Sequence, residues 1–455
     1  MGVRVNCVPK WVMQGVILLL GCLAYALTFF HRYAPSVLYQ RIADTLKVSK
    51  DKVSTFGSMY FWPYAVMQPI GGILADVFSP GKLIALSLII ISLGATIDGI
   101  STNFALSSFG RFLVGLGAGP IYVPASRLLA SWYSNRGFVI ASGVLLAAGS
   151  AGGLIAQGPL SAMVEGIPWQ WAFYVAAIIG VVVATFSMFL LQATPQYAGF
   201  VDDNTENEST VDVKAMSLKE QLKQLLQNIK IVGTNPHFWL VVVWGICSPS
   251  CFFNLSSLWC GPYLRDVLKL SDKKADTYIM MLSLAWVIGS PSLMVITEVL
   301  KTRKWILVFA AASSCVTSVG FMFVGENTPI PLLLFMLFVF ALFAGATIGI
   351  QLSMLKEMHA DYVAATAMGC GNFFPFIVAG LLQVISPEIL SAIDGSSGTH
   401  SPNAYRYGIW MINGLMTLVA CVAISLSRDT YGFPVEQKAG YIGQKDQSLF
   451  DSFLN

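Results

Sequence analysis

Charge is what this chain of 455 residues has least of: Asp, Glu, Lys and Arg together make up 11% of it, against 55% hydrophobic residues. A soluble globular domain carries roughly a quarter charged residues, so the composition excludes that class. Cysteine is sparse and unpatterned. Cys7, Cys22, Cys247, Cys251, Cys260, Cys315, Cys370 and Cys421 form no C-x-x-C pair and fall mostly inside apolar runs. They read as small buried hydrophobes rather than disulfides or metal ligands. No phosphate-binding loop, nucleophile–base pair or metal-ligand cluster stands out, so no cofactor, no metal site and no enzyme activity are expected. The net charge of +3 gives no reason to expect nucleic acid, since positive charge in apolar chains of this kind tracks topology.

What is present is a succession of apolar runs of about twenty residues, each long enough to cross a hydrocarbon core of roughly 30 Å as a helix. Helices are expected at 11–38, 54–77, 82–101, 106–131, 136–160 and 170–193, then at 237–262, 274–298, 303–324, 330–355, 362–388 and 404–427. The first run is longer than a signal-peptide core and no small-residue cleavage site precedes the next polar stretch, so it is read as a span. The start "MGVRVN" lacks the Ser or Thr of a myristoylation signal.

The fold expected is an all-α membrane protein, with 12 transmembrane helices in two pseudo-symmetric six-helix bundles. Residues 1–10 form an N-terminal segment, 11–193 the first bundle, 194–236 a polar linker with a surface helix, 237–427 the second bundle and 428–455 a tail. Lys and Arg are more frequent on the side that would hold the termini and the linker, which makes that side cytoplasmic. The plasma (inner) membrane is the expected location, or an organelle membrane in a eukaryote.

The halves repeat. "TLKVSKDKVSTF" (Thr45–Phe56) matches "VLKLSDKKADTY" (Val267–Tyr278), and at the same offset Pro69 meets Pro291, Asp76 meets Glu298 and Lys82 meets Lys304. Parallel repeats of this kind point to two related bundles around a central site. Gln157 and Gln383 correspond in the fifth and eleventh helices at nearly the same offset.

Two motifs carry a family resemblance. "GGILADVFSPGK" (Gly71–Lys82) resembles the GxLaDrxGrkr motif of the major facilitator superfamily, with a degenerate second copy in "MVITEVLKTRK". "GRFLVGLGAG" (Gly110–Gly119) is similar to the RxxxGxGxG motif of the same superfamily. The resemblance extends from Trp11 to Arg428 and implies two bundles rocking around a cavity lined by the first, fourth, seventh and tenth helices. Physically, the glycines, Gly72 among them, permit close packing, and Asp76 at a helix end can latch a neighbouring helix N-terminus or cation. Val77 stands where the family carries a basic residue, so the latch is expected to use Lys82, with Glu298 and Lys304 as the second copy. Arg111 has two readings, a salt bridge to Asp98 or a coupling role; Arg127, near the cytoplasmic mouth, is expected to snorkel or gate.

His31 and Arg32 stand out in "ALTFFHRYAPSVLYQ" (Ala26–Gln40), at the end of an apolar run. A lone charge on a membrane helix costs at least about 2.5 kcal/mol, so Arg32 should face water, a partner or a ligand; snorkelling to the headgroups is the alternative. "FFHRYAPSVLYQ" resembles the helix-one stretch of organophosphate antiporters, whose arginine binds phosphate, but the other cationic positions of that site fall at Gln68, near Phe253 or Asn254, and near Gly149. One cation suits a single carboxylate better than a dianionic phosphate. Tyr25, Tyr64, Gln68, Asn254, Trp259, Gln351 and Asn372 are candidate companions, and His31 is the candidate proton carrier.

"LWCGPYLRDV" and "GCGNFFPFIVAGLLQ" look like a bacterial branch that includes phagosomal amino-acid transporters. The expected function is therefore secondary active or facilitative transport of a carboxylate-bearing metabolite or amino acid by alternating access. The partners expected are a small-molecule substrate, protons as a candidate co-substrate and the lipid bilayer, in a monomer or loose homodimer. A multidrug/proton antiporter and a non-transporting membrane sensor on the same fold are the alternatives.

Overall fold

The computed structural model describes residues 9–195, 218–395 and 400–431. Eleven helical spans among them are long and apolar enough to cross a bilayer. The first half comprises α1 (Lys10–Leu46), α2 (Lys50–Val77), α3 (Pro80–Ile100), α4 (Phe104–Ala118), α5 (Tyr122–Trp132), α6 (Asn135–Gly166) and α7 (Gln170–Leu190). The helix α8 (Leu218–Gly233) follows. The second half comprises α9 (Pro236–Cys247), α10 (Pro249–Asn254), a π-helical turn (Leu255–Trp259), α11 (Cys260–Leu268), α12 (Asp272–Leu300), α13 (Lys304–Phe321), α14 (Ile330–Ala344), α15 (Ile348–Glu357), α16 (Asp361–Asp394), α17 (Pro402–Tyr405), a second π-helical turn (Arg406–Met411) and α18 (Ile412–Leu426). The twelfth expected crossing, α2, has 28 residues and runs back along α1.

Several helices depart from their expected bounds for local reasons. The fourth expected helix divides into α4 and α5 at Gly119–Ile121, because Pro120 has no N–H to continue the ladder and its ring crowds the preceding turn. The seventh divides before Pro249 in the same way, and the tenth at Gly345–Thr347. The first helix runs eight residues past its expected end, to Leu46, and closes with Lys47 at φ 52°. Lys269, the matching residue of the repeat, closes α11 at φ 53°. Two lysines in the left-handed conformation, uncommon for residues with a Cβ, show the repeat at the level of the backbone.

The glycines of "GRFLVGLGAG" do what close packing requires. A Cβ on Gly115 would run into the carbonyl of Tyr60, and one on Gly117 into the carbonyl of Ser87. α4 is thereby seated between α2 and α3. The halves meet along three seams: α2 on α16, α6 on α12, and α1 on the Leu255–Trp259 turn. Large apolar side chains left exposed, such as Val299, Val316 and Phe323, face outward as a lipid-facing surface demands. One end of the molecule, here the linker side, carries Lys10, the 77–80 turn and α8; the opposite end is the far side.

Candidate functional site

The centre of the molecule is built on α1, which stays helical through Pro35. Proline offers no N–H to the carbonyl four residues back, which leaves the oxygen of His31 without its helical donor. Arg111 of α4 fills that gap, donating from Nη1 at 2.8 Å. The Asp98 carboxylate accepts instead from Ser107 Oγ at 2.9 Å.

Arg32 lies at the junction of the halves and is 2% exposed. Five aromatic rings surround its guanidinium carbon: Phe29 at 4.5 Å, Tyr64 at 4.7 Å, Phe376 at 5.1 Å, Phe253 at 5.4 Å and Tyr60 at 5.6 Å from the ring centroids. Two of the five come from α10 and α16 of the second half. Nε and Nη2 have no hydrogen-bond partner, and among the described residues no carboxylate pairs with Arg32. Ring faces attract a desolvated cation by about 2 kcal/mol or more; the Tyr60 and Tyr33 hydroxyls also hydrogen-bond the guanidinium, which leaves Nε and Nη2 without an acceptor.

Of the expected companions, Tyr64 is in the cage and Tyr25 lies one turn toward the linker side, edge-on to Phe29 at 5.0 Å. Gln68 and Asn372 meet across the α2–α16 seam, where Asn372 Nδ2 donates to Gln68 Oε1 at 2.8 Å. Others go elsewhere. Asn254 Nδ2 donates to Ser386 Oγ at 3.3 Å inside the second half. Trp259 lies further toward the far side, near Tyr39, His400 and Tyr405. Gln351 is buried against Gly245 with both amide atoms unpartnered. His31 leaves Arg32's surroundings: its ring stacks on Phe173 of α7 at 5.8 Å, and both ring nitrogens are unpartnered.

The residues expected to gate divide similarly. The surroundings of Gly72 and the side chain of Asp76 lie outside what the structure describes; Lys82 and Arg127 are exposed. In the second copy of the motif, Glu298 pairs with Arg303 at 2.7 Å, and Arg303 also reaches Glu357 at 3.0 Å. Lys304 lies over the Trp305 ring instead, at 5.1 Å. Burial opposes the charge on Arg303, but its hydrogen bonds to Glu357 and Glu298 outweigh this and hold the guanidinium above its ordinary pKa. The segment after α18 clips onto this group: Asp429 accepts from the Thr302 hydroxyl and from the backbone N–H of Arg303 (3.0 Å), and Thr430 Oγ1 donates to Glu357 at 2.7 Å. Burial works against the Asp429 carboxylate, yet these donors pull its pKa below the usual range.

On the far side the α6–α12 seam is laced from deep to shallow. Ser283 Oγ donates to Gln157 Oε1 at 2.7 Å, Ser161 Oγ to Asp276 at 2.5 Å, and Lys273 faces Glu165 at 3.7 Å. Arg265 holds Asp276 and Asp272 from the second half. The sequence reading singled out none of Asp276, Arg265, Arg303 or Asp429. Asp276 matches Ser54 in the repeat, so the repeat pattern itself hides it.

Comparison with known proteins places this architecture. The family model described as Major Facilitator Superfamily matches residues 21–383. The probable sulfoacetate transporter SauU of Cupriavidus necator is 26% identical over 203 residues, 44% of each chain. The potential vesicular glutamate transporter vglu-3 of Caenorhabditis elegans is 24% identical over 232 residues, 49% of this chain and 42% of that one. The chain spans about half the length of the curated relatives it matches. Its fold is like that of a bacterial homologue of the human lysosomal transporter Spinster, solved inward-facing and unoccupied, with TM-score 0.67 and 16% identity over 91% of this chain and 96% of that one. A family match over most of the length, on a helical fold of the same kind, establishes that the chain belongs to the Major Facilitator Superfamily.

Proposed function

We propose that this protein transports a small organic anion with one principal acidic group, a carboxylate or sulfonate, by alternating access of its two halves around Arg32. The observation that carries the reading is the caged guanidinium, buried at the junction of the halves with Nε and Nη2 unpartnered. An anion would supply the acceptors that Nε and Nη2 lack, and as a charge-assisted pair it would gain more than a neutral hydrogen bond. Because the cage draws residues from both halves, an anion seated there contacts both, which is what coupling of binding to rocking requires. With one cation in the cage, a dianionic phosphate ester is the poorer fit. The names of the relatives, which include transporters of sulfoacetate and glutamate, agree with an anionic cargo.

A thermal-shift screen in detergent tests this, using sulfoacetate, L-glutamate, neutral amino acids, monocarboxylates and phosphate esters on the wild type and Arg32→Ala. A ligand that binds only the folded state raises its melting midpoint. At least one carboxylate or sulfonate should stabilise the wild type and leave Arg32→Ala unmoved, and the same solute should undergo counterflow in proteoliposomes. Equal stabilisation of both proteins by every active solute would rule out the Arg32 assignment; binding without counterflow would favour a sensor.

A further inference from the structure

A second buried ionisable group lies apart from the cage. Asp98, in the last turn of α3, is 0% exposed; its Oδ1 accepts from Ser107, and its Oδ2 has no partner. Gly110 of α4 makes room for it, since a Cβ there would lie 3.0 Å from Oδ1. The next residue is Arg111, 1% exposed, with Nη1 on the His31 carbonyl and Nε unpartnered. Two groups of opposite charge thus stand close together, each with a free polar atom, and no ion pair joins them.

An ionised carboxylate left unpaired in a dry helix bundle costs several kcal/mol, and a guanidinium one residue from its contact is the obvious remedy. A neutral carboxylic acid needs no such counter-ion. We infer that Asp98 is a proton-carrying site, and that Arg111 moves between the His31 carbonyl and the Asp98 carboxylate as the proton arrives and leaves.

The structure corresponds to the protonated arrangement. A proton from far-side water adds to Oδ2, an O–H bond forms, the pair passes from neutral to a net charge of +1, and Arg111 is released to the carbonyl that Pro35 leaves open. On loss of the proton, Arg111 returns to the carboxylate and neutrality is restored. Access is short, because α3 ends two residues after Asp98 and Thr102 and Asn103 are exposed.

The groups facing Asp98 come from each neighbouring helix. α4 brings Ser107 and Arg111; α7 brings Tyr174, packed against Gly99. α2 brings Tyr60, whose ring is 5.4 Å from the Arg111 guanidinium, and α1 brings the His31 carbonyl, the His31 ring being stacked on Phe173. α5 continues α4 beyond Gly117, which already lies against Ser87 and Ile91, so its Arg127 belongs to the linker-side end of α3.

The same Tyr60 ring is 5.6 Å from Arg32. A released Arg111 therefore adds positive potential behind the cage, which favours an anion within it, and the sign is that of proton–anion symport. The proton site stands whatever solute the cage takes.

Infrared difference spectra of the wild type in nanodiscs, recorded between mildly acidic and mildly alkaline buffer, read the site without a substrate. A titrating protonated-carboxyl stretch is expected in the wild type, absent in Asp98→Asn and restored in Asp98→Glu. No titrating band in the wild type, or the same band in Asp98→Asn, overturns the inference. Should Asp98→Asn not fold, Ser107→Ala must move the midpoint of the wild-type band, and an unmoved midpoint overturns it equally. Failure of every anion in the thermal-shift screen would remove the Arg32 reading and leave this band in place.

Discussion

Arg111 and Pro35 share one carbonyl: the oxygen of His31, which Pro35 deprives of its helical donor, receives Nη1 of Arg111 at 2.8 Å. The arginine of the "GRFLVGLGAG" motif thus stitches α4 to a proline-weakened turn of α1, directly beside Arg32. The salt bridge to Asp98 expected as one of its two roles is not closed in this arrangement.

Arg111→Gln should therefore destabilise the fold by about 1–3 kcal/mol, the range for a buried acceptor left unpaired. In a Pro35→Ala background, where residue 35 regains its N–H, the same change should cost less. Equal costs in the two backgrounds of a double-mutant cycle, read by denaturation in detergent, would count against the shared carbonyl.

Arg32→Met should leave the melting midpoint unchanged or raise it, because a buried charge without a counter-ion is replaced by an apolar chain of similar length. Stabilisation by anions should vanish in the same protein. A large drop in the midpoint would mean that the cage needs its cation to fold.

Ser161→Ala removes the hydrogen bond that Asp276 accepts across the α6–α12 seam and leaves a buried carboxylate oxygen short of a donor. The far side should open more often, by a factor corresponding to about 1–3 kcal/mol. Spin labels at Thr102 and Lys269, both exposed on the far side, should show a longer-distance population that the otherwise wild-type pair lacks.

Asp429, with its pKa depressed by Thr302 and the N–H groups of Arg303, Tyr431 and Lys304, supports the start of α13 in its ionised form. A depressed carboxylate contributes its full stability above the unfolded value, about 3.9, and loses it as pH falls through the lower folded value. The protection of the Arg303 and Lys304 amides against hydrogen exchange, taken relative to the intrinsic rate at each pH, should be high at neutral pH and fall only on acidification. Asp429→Asn should lower this protection at neutral pH, with a loss of about 0.5–2 kcal/mol typical of a helix cap.

Much of this was legible in the chain. Apolar runs of bilayer length announce helices because a backbone in lipid must bond to itself, and the paired loops at Thr45 and Val267 show a repeat that Lys47 and Lys269 confirm in their dihedral angles. The breaks at Pro120 and Pro249 follow from proline chemistry that the hydropathy pattern alone passes over. Arg32 was conspicuous as an unpaired charge. The rings of Phe253 and Phe376 around it were not, since nothing local in a sequence says which aromatic residues two hundred or more positions away will meet a given side chain. The sequence offers Asp98 as a salt-bridge partner for Arg111; its burial against Gly110 and Ser107 is a property of packing.

Among the described residues, the α2–α16 seam on the linker side of the cage carries an amide-to-amide hydrogen bond, Asn372 to Gln68. The far-side seam also carries ionised groups. An uncharged latch is insensitive to dissolved salt, whereas exposed charge pairs are screened by it. Contacts across the far-side seam should therefore loosen in concentrated salt, which screens the exposed Lys273–Glu165 pair.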